Sequence, residues 1–337
     1  LAVLAAASVC SSMLLNFPSG TFSIHWNWQA SAEETEESVE GIAIDATNFP
    51  DEIFRTYVQE NFDTTADGIL SESELKQATE INVSYKGISD LTGVEYFTAL
   101  QALNCGANSL TTLDVRQNTA LQTLWCSGNN LTVLDVRQNP KLNTLYCFNN
   151  NLTALDLSQN TALTNLECDS NTYSIALTGG TFDLSTLPEG FDLSKASNWK
   201  NATVDGNTLT VTNPKADVTY TYDLGNEKTA TFTLQPTSCI LTESMVKEIP
   251  EQVYTGSAVT PDVVFQYGED TFKKDVDYTV SYTNNQHTGT GNAIITGKGI
   301  FSGTVTVPFG IGVAINETTI PDETFRTYVK ENIDTTP

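Results

Sequence analysis

Residues 100–118 read LQALNCGANSLTTLDVRQN, and the same pattern returns as LQTLWCSGNNLTVLDVRQN at 121–139 and as LNTLYCFNNNLTALDLSQN at 142–160. The period is 21 residues, and a fourth, shorter copy begins at Leu163. Four columns hold through all four copies: Leu100, Leu121, Leu142 and Leu163; Leu103, Leu124, Leu145 and Leu166; Cys105, Cys126, Cys147 and Cys168; Asn108, Asn129, Asn150 and Asn171. A fixed period of this length predicts a solenoid, in which stacked units bury one shared core.

The spacing within one unit predicts its geometry. Each L-x-x-L-x-C segment makes one short strand, and successive strands stack in parallel about 4.8 Å apart. Alternate residues point inward, so the Leu and Cys columns fill the core. The Asn column turns inward to bond backbone groups at the tight bend. The unit resembles the leucine-rich-repeat family, in particular its exported bacterial members, over residues 81–173.

The four repeat cysteines invite a disulfide or a metal-site interpretation. They occupy one core column, where cysteine behaves as a small hydrophobic residue. Neighbouring thiols on stacked parallel strands do not have the C-x-x-C spacing of a zinc site. We therefore interpret them as packing residues. Cys239 stands apart from this column.

Residues 63–74, DTTADGILSESE, match an EF-hand calcium loop with one departure, because Thr65 stands where Asp or Asn is usual. The predicted metal ligands are Asp63, Thr65, Asp67, Ile69, Ser71 and Glu74. The loss of one carboxylate predicts weak calcium binding. The segment resembles the single EF-hand-like units of exported bacterial proteins, such as dockerin repeats, although dockerins pair two loops. The alternative is a calcium-free helix-loop-helix that caps the solenoid.

The outward positions of the strands predict a second candidate site. Adjacent units place Trp125, Tyr146 and Phe148 on one face, followed by Glu167 and Asp169. Large exposed aromatic residues in one patch indicate a partner. These five residues are therefore the predicted ligand-binding set. The alternative is that the aromatic rings shield one another or pack on a neighbouring domain.

Other segments organise the rest of the chain. Residues 1–32 are predicted to be a signal-peptide remnant and residues 33–42 an acidic linker, followed by an EF-hand-like cap at 43–80. After the solenoid, hairpin signals predict a β-rich cap at 174–239. Residues 240–313 resemble bacterial Ig-like β-sandwiches. Residues 321–336 repeat residues 50–65, so 314–337 is predicted to be a truncated second EF-hand-like unit.

Composition restricts the function classes. The formal net charge of −25 opposes binding to nucleic acid or to anionic membranes. The two histidines, His25 and His287, lie away from any Ser or Cys nucleophile motif, and two are too few for a histidine zinc site. Acidic residues are so abundant that no carboxylate pair is informative. We therefore predict that the chain is not an enzyme.

The sequence thus predicts a mainly β, multidomain protein around a short leucine-rich-repeat solenoid. The resemblance to internalin-like and related surface proteins of Gram-positive bacteria implies a secreted or cell-surface protein. It also implies adhesion to, or recognition of, a protein or glycan ligand on the strand face, without nucleic acid and without membrane insertion. Two alternatives remain: a non-catalytic targeting arm of a larger exported enzyme, and a structural stalk.

Overall fold

A computed structural model describes residues 41–267 and 270–333. The predicted signal peptide at 1–32 lies outside the described residues, as does nearly all of the acidic linker. Across the described residues the chain is mainly β, with few helices. In this part of the chain, no helix combines the length and the apolar character needed to cross a bilayer.

A small helical unit precedes the repeats. Its elements are β1 (Ile42–Ala43), α1 (Glu52–Phe62), β2 (Ile69–Leu70) and α2 (Glu72–Gln77). The Asp51 side chain accepts from the amides of Ile53 and Phe54 and so begins α1, because the first amides of a helix lack intrahelical partners. The buried face of α1 carries Phe54 and Val58, which pack into the same core as the first coil of the solenoid.

The repeats form the predicted solenoid. Its strands are β3 (Glu80–Asn82), β4 (Ala102–Asn104), β5 (Thr123–Trp125), β6 (Thr144–Tyr146) and β7 (Asn165–Glu167), in one parallel sheet in chain order. Leu103 pairs with Leu124, and Leu124 with Leu145. Residues that are 21 positions apart are therefore paired on neighbouring strands, which confirms the predicted solenoid.

The core columns also lie where the sequence predicts them. The repeat cysteines and the repeat leucines are buried, except for Leu113 and Leu166, which are half-buried, and all four cysteines are free thiols. Asn129 shows what the asparagine column does. Its Oδ1 accepts from the Leu110 amide at 3.0 Å, and its Nδ2 donates to the carbonyls of Cys105 and Cys126 at 3.1 and 3.0 Å. Each asparagine thus joins two neighbouring coils.

A β-rich region follows without a break. Its strands are β8 (Asn171–Thr178), β9 (Thr181–Asp183), β10 (Ala196–Lys200), β11 (Ala202–Asp205), β12 (Thr208–Val211), β13 (Val218–Gly225) and β14 (Lys228–Ile240). The two predicted hairpins, β11–β12 and β13–β14, are both formed. The sheet covers the last coil: Leu157 donates to the Leu224 carbonyl at 2.8 Å, and the Tyr220 hydroxyl donates to the Thr153 carbonyl at 2.5 Å.

The last strands are β15 (Gln252–Val253), β16 (Gln266–Tyr267), β17 (Asp270–Thr271), β18 (Tyr278–Thr283), β19 (Gly289–Gly297), β20 (Phe301–Ser302) and β21 (Thr304–Gly312), before helix α3 (Glu323–Asn332). Four of them form a sheet in the order β15-β21-β19-β18. Strand β20 pairs with β14 of the preceding sheet, so hydrogen bonds cross the boundary predicted at 239/240. The assignment of an Ig-like fold to this region stays a prediction.

Candidate functional site

We call one surface of the solenoid the strand face. It is formed by the last residue of each strand from β4 to β7 and by the residue two positions after it. In strand order its members are Asn104 and Gly106, Trp125 and Ser127, Tyr146 and Phe148, and Glu167 and Asp169. The register places Trp125 directly beside Tyr146, and Tyr146 beside Glu167. The strands therefore bring all five predicted ligand-binding residues together on one surface.

The aromatic residues on this surface contact one another. The rings of Trp125 and Tyr146 are stacked, with centroids 6.3 Å apart and an interplanar angle of 23°. Trp125 remains 39% exposed, whereas Tyr146 and Phe148 are half-buried. The stacking reduces the exposed area of the patch, but the indole of Trp125 still faces solvent.

Small and charged residues border the aromatic patch. Gly106 and Ser127 precede Phe148 in the same column, so the surface beside Trp125 is low on that side. Glu167 and Asp169 are exposed on the last strand. The strand face thus offers an aromatic platform between a shallow polar area and a negatively charged end.

Hydrogen bonds within the loop hold the predicted calcium ligands of residues 63–74 in place. Glu74 is buried, and its carboxylate is occupied by the loop itself. Oε1 accepts from the amide and hydroxyl of Thr64, both at 2.7 Å, and from the Thr65 amide at 3.1 Å. Oε2 accepts from the amide and hydroxyl of Ser71 at 2.9 and 2.8 Å. The Ser71 amide above all, with the other donors, lowers the pKa of Glu74 to about 2.

The two aspartates of the loop, Asp63 and Asp67, also accept hydrogen bonds from backbone amides. Asp63 accepts from the amides of Asp67 and Gly68 at 3.2 and 3.0 Å, and Asp67 accepts from the Ile69 amide at 2.9 Å. Across residues 41–267 and 270–333, no three acidic, histidine or cysteine side chains gather closely enough to hold a metal ion. In this arrangement backbone donors occupy the carboxylates of Asp63, Asp67 and Glu74. Calcium binding by this loop stays a prediction.

The repeat contains a second asparagine column, to which the sequence pattern alone assigned no role. Asn118, Asn139 and Asn160 are fully buried at the end of each unit. Asn139 Nδ2 donates to the carbonyls of Val115 and Asn118, both at 2.9 Å. The signal was visible in the sequence, since these residues recur every 21 positions as the first column does.

A groove of about 870 Å³ lies along another edge of the solenoid, where Asp114, Asp135 and Asp156 recur every 21 residues. Arg116 forms a two-point ion pair with Asp114, at 2.9 and 2.7 Å, and Arg137 pairs with Asp135 in the same way. Each arginine lowers the pKa of its partner aspartate. The charges cancel within these two coils, and the pairs are exposed, so this edge is screened and solvated.

The parallel sheet, the buried columns and the two asparagine ladders define the class of the protein, which is a leucine-rich-repeat solenoid protein. No family model matches the chain. Over 70 residues it is 44% identical to Internalin J of Listeria monocytogenes serotype 4b (strain F2365), and the match covers 21% of this chain and 8% of that relative. The repeat segment is internalin-like, and the chain matches only a small part of that relative's length.

Two solved structures are similar to part of the chain. One is described as the functional domain of InlJ from Listeria monocytogenes, which includes a cysteine ladder. It is 41% identical, and the match covers 40% of this chain and 30% of the chain in that structure, with a TM-score of 0.37. The internalin InlF from the same species is 19% identical, with a TM-score of 0.33 and coverage of 43% and 53%. Because both scores are low, the internalin likeness rests on the sequence match.

Proposed function

We propose that the chain is a secreted or cell-surface protein whose strand face binds a protein or glycan ligand. The observation that carries the proposal is the stacked pair of Trp125 and Tyr146 on the outer side of the sheet. Support for an exported setting comes from the similarity of the repeats to Internalin J and from the apolar first residues. The proposal includes no catalytic step.

The aromatic pair favours binding for an energetic reason. A ring held against another ring loses little conformational freedom when a ligand covers it, so more of the contact energy is available for affinity. Aromatic faces stack on sugar rings and also contact apolar protein side chains. The half-exposed Trp125 is therefore the expected centre of the contact.

The size and charge of the strand face limit the ligand. The four strands of the face, at about 4.8 Å spacing, give a length of roughly 15–20 Å, which fits a peptide segment, a small protein protrusion or a few sugar rings. Glu167 and Asp169 lie beyond the aromatic residues, on a chain with a net charge of −25. This field favours neutral or basic ligands.

The test is a binding screen with three proteins: wild type, Trp125→Ala/Tyr146→Ala, and Val133→Ala. Val133 is a matched control because it is 40% exposed, like Trp125, but lies away from the strand face. A glycan array and a panel of extracellular proteins distinguish the two ligand classes. We expect a ligand that wild type and Val133→Ala retain and the double variant loses.

Equal binding by all three proteins would place recognition elsewhere in the chain. If wild type binds nothing on either panel while a longer natural protein acts as an enzyme, the alternative of a targeting arm or a stalk replaces the proposal. Circular dichroism of the double variant is needed as well, because loss of fold would make Trp125 and Tyr146 packing residues.

A further inference from the structure

Helix α3 is a second copy of helix α1. Residues 313–333 align with residues 42–62 without a gap, at a constant offset of 271 positions. The two helices start in the same way: Asp51 caps α1, and Asp322 accepts from the Phe325 amide at 2.7 Å. Arg55 donates to the Phe49 carbonyl, and Arg326 to the Ile320 carbonyl, both at 2.6 Å.

The two copies differ in what covers their apolar face. In α1, Phe54 and Val58 are fully buried. At the matching positions of α3, Phe325 is 56% exposed and Val329 half-buried, and Tyr328 is 55% exposed. The same side chains in the same helical frame are therefore covered in the first copy and largely open to solvent in the second.

The surface that covers α1 identifies what fits the face. Phe62 packs on Phe97 of the first coil, with ring centroids 5.2 Å apart. The Tyr57 hydroxyl accepts from the Asn82 amide of β3 at 3.1 Å, and Asp51 Oδ2 accepts from the Ser89 amide at 3.0 Å. The cover is thus the first coil of a leucine-rich-repeat solenoid, the coil that follows α1 directly in the sequence.

We propose that α3 is the N-terminal cap of a second leucine-rich-repeat solenoid, and that the first coil of that solenoid, following α3 in the same polypeptide, covers Phe325, Tyr328 and Val329. The groups that tie α1 to its coil have counterparts on α3. Tyr328 and Asp322 replace Tyr57 and Asp51. On the helix itself three residues change: Ile53, Gln59 and Phe62 become Thr324, Lys330 and Ile333. An exposed apolar face of this kind is costly without a partner.

The first test is a graft in the otherwise complete chain, in which residues 313–333 replace residues 42–62. We expect a cooperative protein whose unfolding midpoint lies within about 10 °C of wild type, because Ile in place of Phe49 and of Phe62 keeps both positions apolar and leaves only packing defects. Phe→Ala and Val→Ala at the grafted positions of Phe325 and Val329 should lower the midpoint by about 10 °C or more, as Phe54→Ala/Val58→Ala does in the parent.

A matched control uses the same two substitutions at the natural site. Phe325→Ala/Val329→Ala in the ungrafted chain should leave the midpoint unchanged, since the face is open there. A graft that folds but is insensitive to the two alanines would overturn the proposal.

The second test adds residues 63–240 after Ile333, so that α3 precedes a complete solenoid. The added repeat cysteines should be shielded from a thiol reagent, and Phe325→Ala/Val329→Ala should expose these and not the original four. Equal labelling with and without the substitutions would refute capping by α3. Dimerisation of the natural chain that these substitutions abolish would mean that a second copy covers the face, which also refutes the proposal.

Discussion

The indole of Trp125 lies against the ring of Tyr146 on the next strand, 6.3 Å between centroids and 23° from parallel. The contact follows directly from the repeat, because positions 21 residues apart are neighbours across the sheet. One substitution in one unit therefore changes the surroundings of the residue in the next. The strand face acts as a coupled surface rather than as a row of independent side chains.

The first prediction concerns this coupling. We expect Trp125→Ala and Tyr146→Ala each to weaken ligand binding by about 1–3 kcal/mol, the range of interface hot spots, and to cost less than about 1 kcal/mol of stability. The two stability losses should not add, because the stacked pair contributes about 0.5–1 kcal/mol that either substitution removes. Urea unfolding of the four proteins in the cycle measures this, and strict additivity would mean that the rings do not interact in solution.

The second prediction concerns the cysteine column. Burial raises the pKa of the Cys126 thiol to about 12, and Cys105 and Cys147 are also fully buried. A thiol reacts as its thiolate, so these groups should be inert at pH 8 in the folded protein. We expect labelling of the native protein to reach Cys168 first, since it is the only one of the four with measurable exposure, 5%. Rapid labelling of Cys126 before unfolding would contradict the repeat frame.

The third prediction concerns the second asparagine column. Asn139→Ala removes two hydrogen bonds and leaves the buried carbonyls of Val115 and Asn118 with one donor fewer, so we expect a loss of about 1–3 kcal/mol. Asn130→Ala is the control, because Asn130 lies in the same repeat unit but is exposed, and the substitution should change stability by less than about 0.5 kcal/mol. Chemical denaturation compares the two. Similar losses would show that the buried bonds contribute little.

These asparagines mark the limit of what the sequence could predict. Register, core columns and the role of Asn129 follow from a period that each unit must satisfy to stack on its neighbours. Asn139 had the same period, but nothing in its position says whether its side chain points inward or to water. For Glu74, the loop pattern predicts a metal ligand but does not reveal the hydrogen bonds that its carboxylate accepts from Thr64, Thr65 and Ser71. Such alternatives depend on the path of the loop in three dimensions.

The fourth prediction concerns pH. The folded pKa of Glu74 is lowered from 4.5 to about 2, so the protonated group is less compatible with the folded state than with the unfolded chain. Its contribution to stability is complete above about pH 5 and is lost as the pH falls towards 2. Glu74→Gln should therefore be less stable than wild type at pH 7, and the difference should shrink between pH 5 and pH 2. Unfolding midpoints measured in EDTA at each pH test this, and a difference independent of pH would exclude an ionised Glu74 as the cause.

The last prediction concerns calcium. Because Glu74 must exchange hydrogen bonds from Thr64, Thr65 and Ser71 for the metal, and because position 65 lacks a carboxylate, we expect binding no tighter than about 10⁻⁴ to 10⁻³ M. Millimolar calcium should then raise the melting temperature of wild type, since the ion binds only the folded loop. Glu74→Gln should abolish the increase, whereas Glu72→Gln should retain it, because Glu72 is not one of the predicted ligands, is exposed and pairs with Lys76. Calorimetry that detects no heat at millimolar calcium, with no change in melting, would leave Glu74 as a hydrogen-bonded brace and the segment as a metal-free cap.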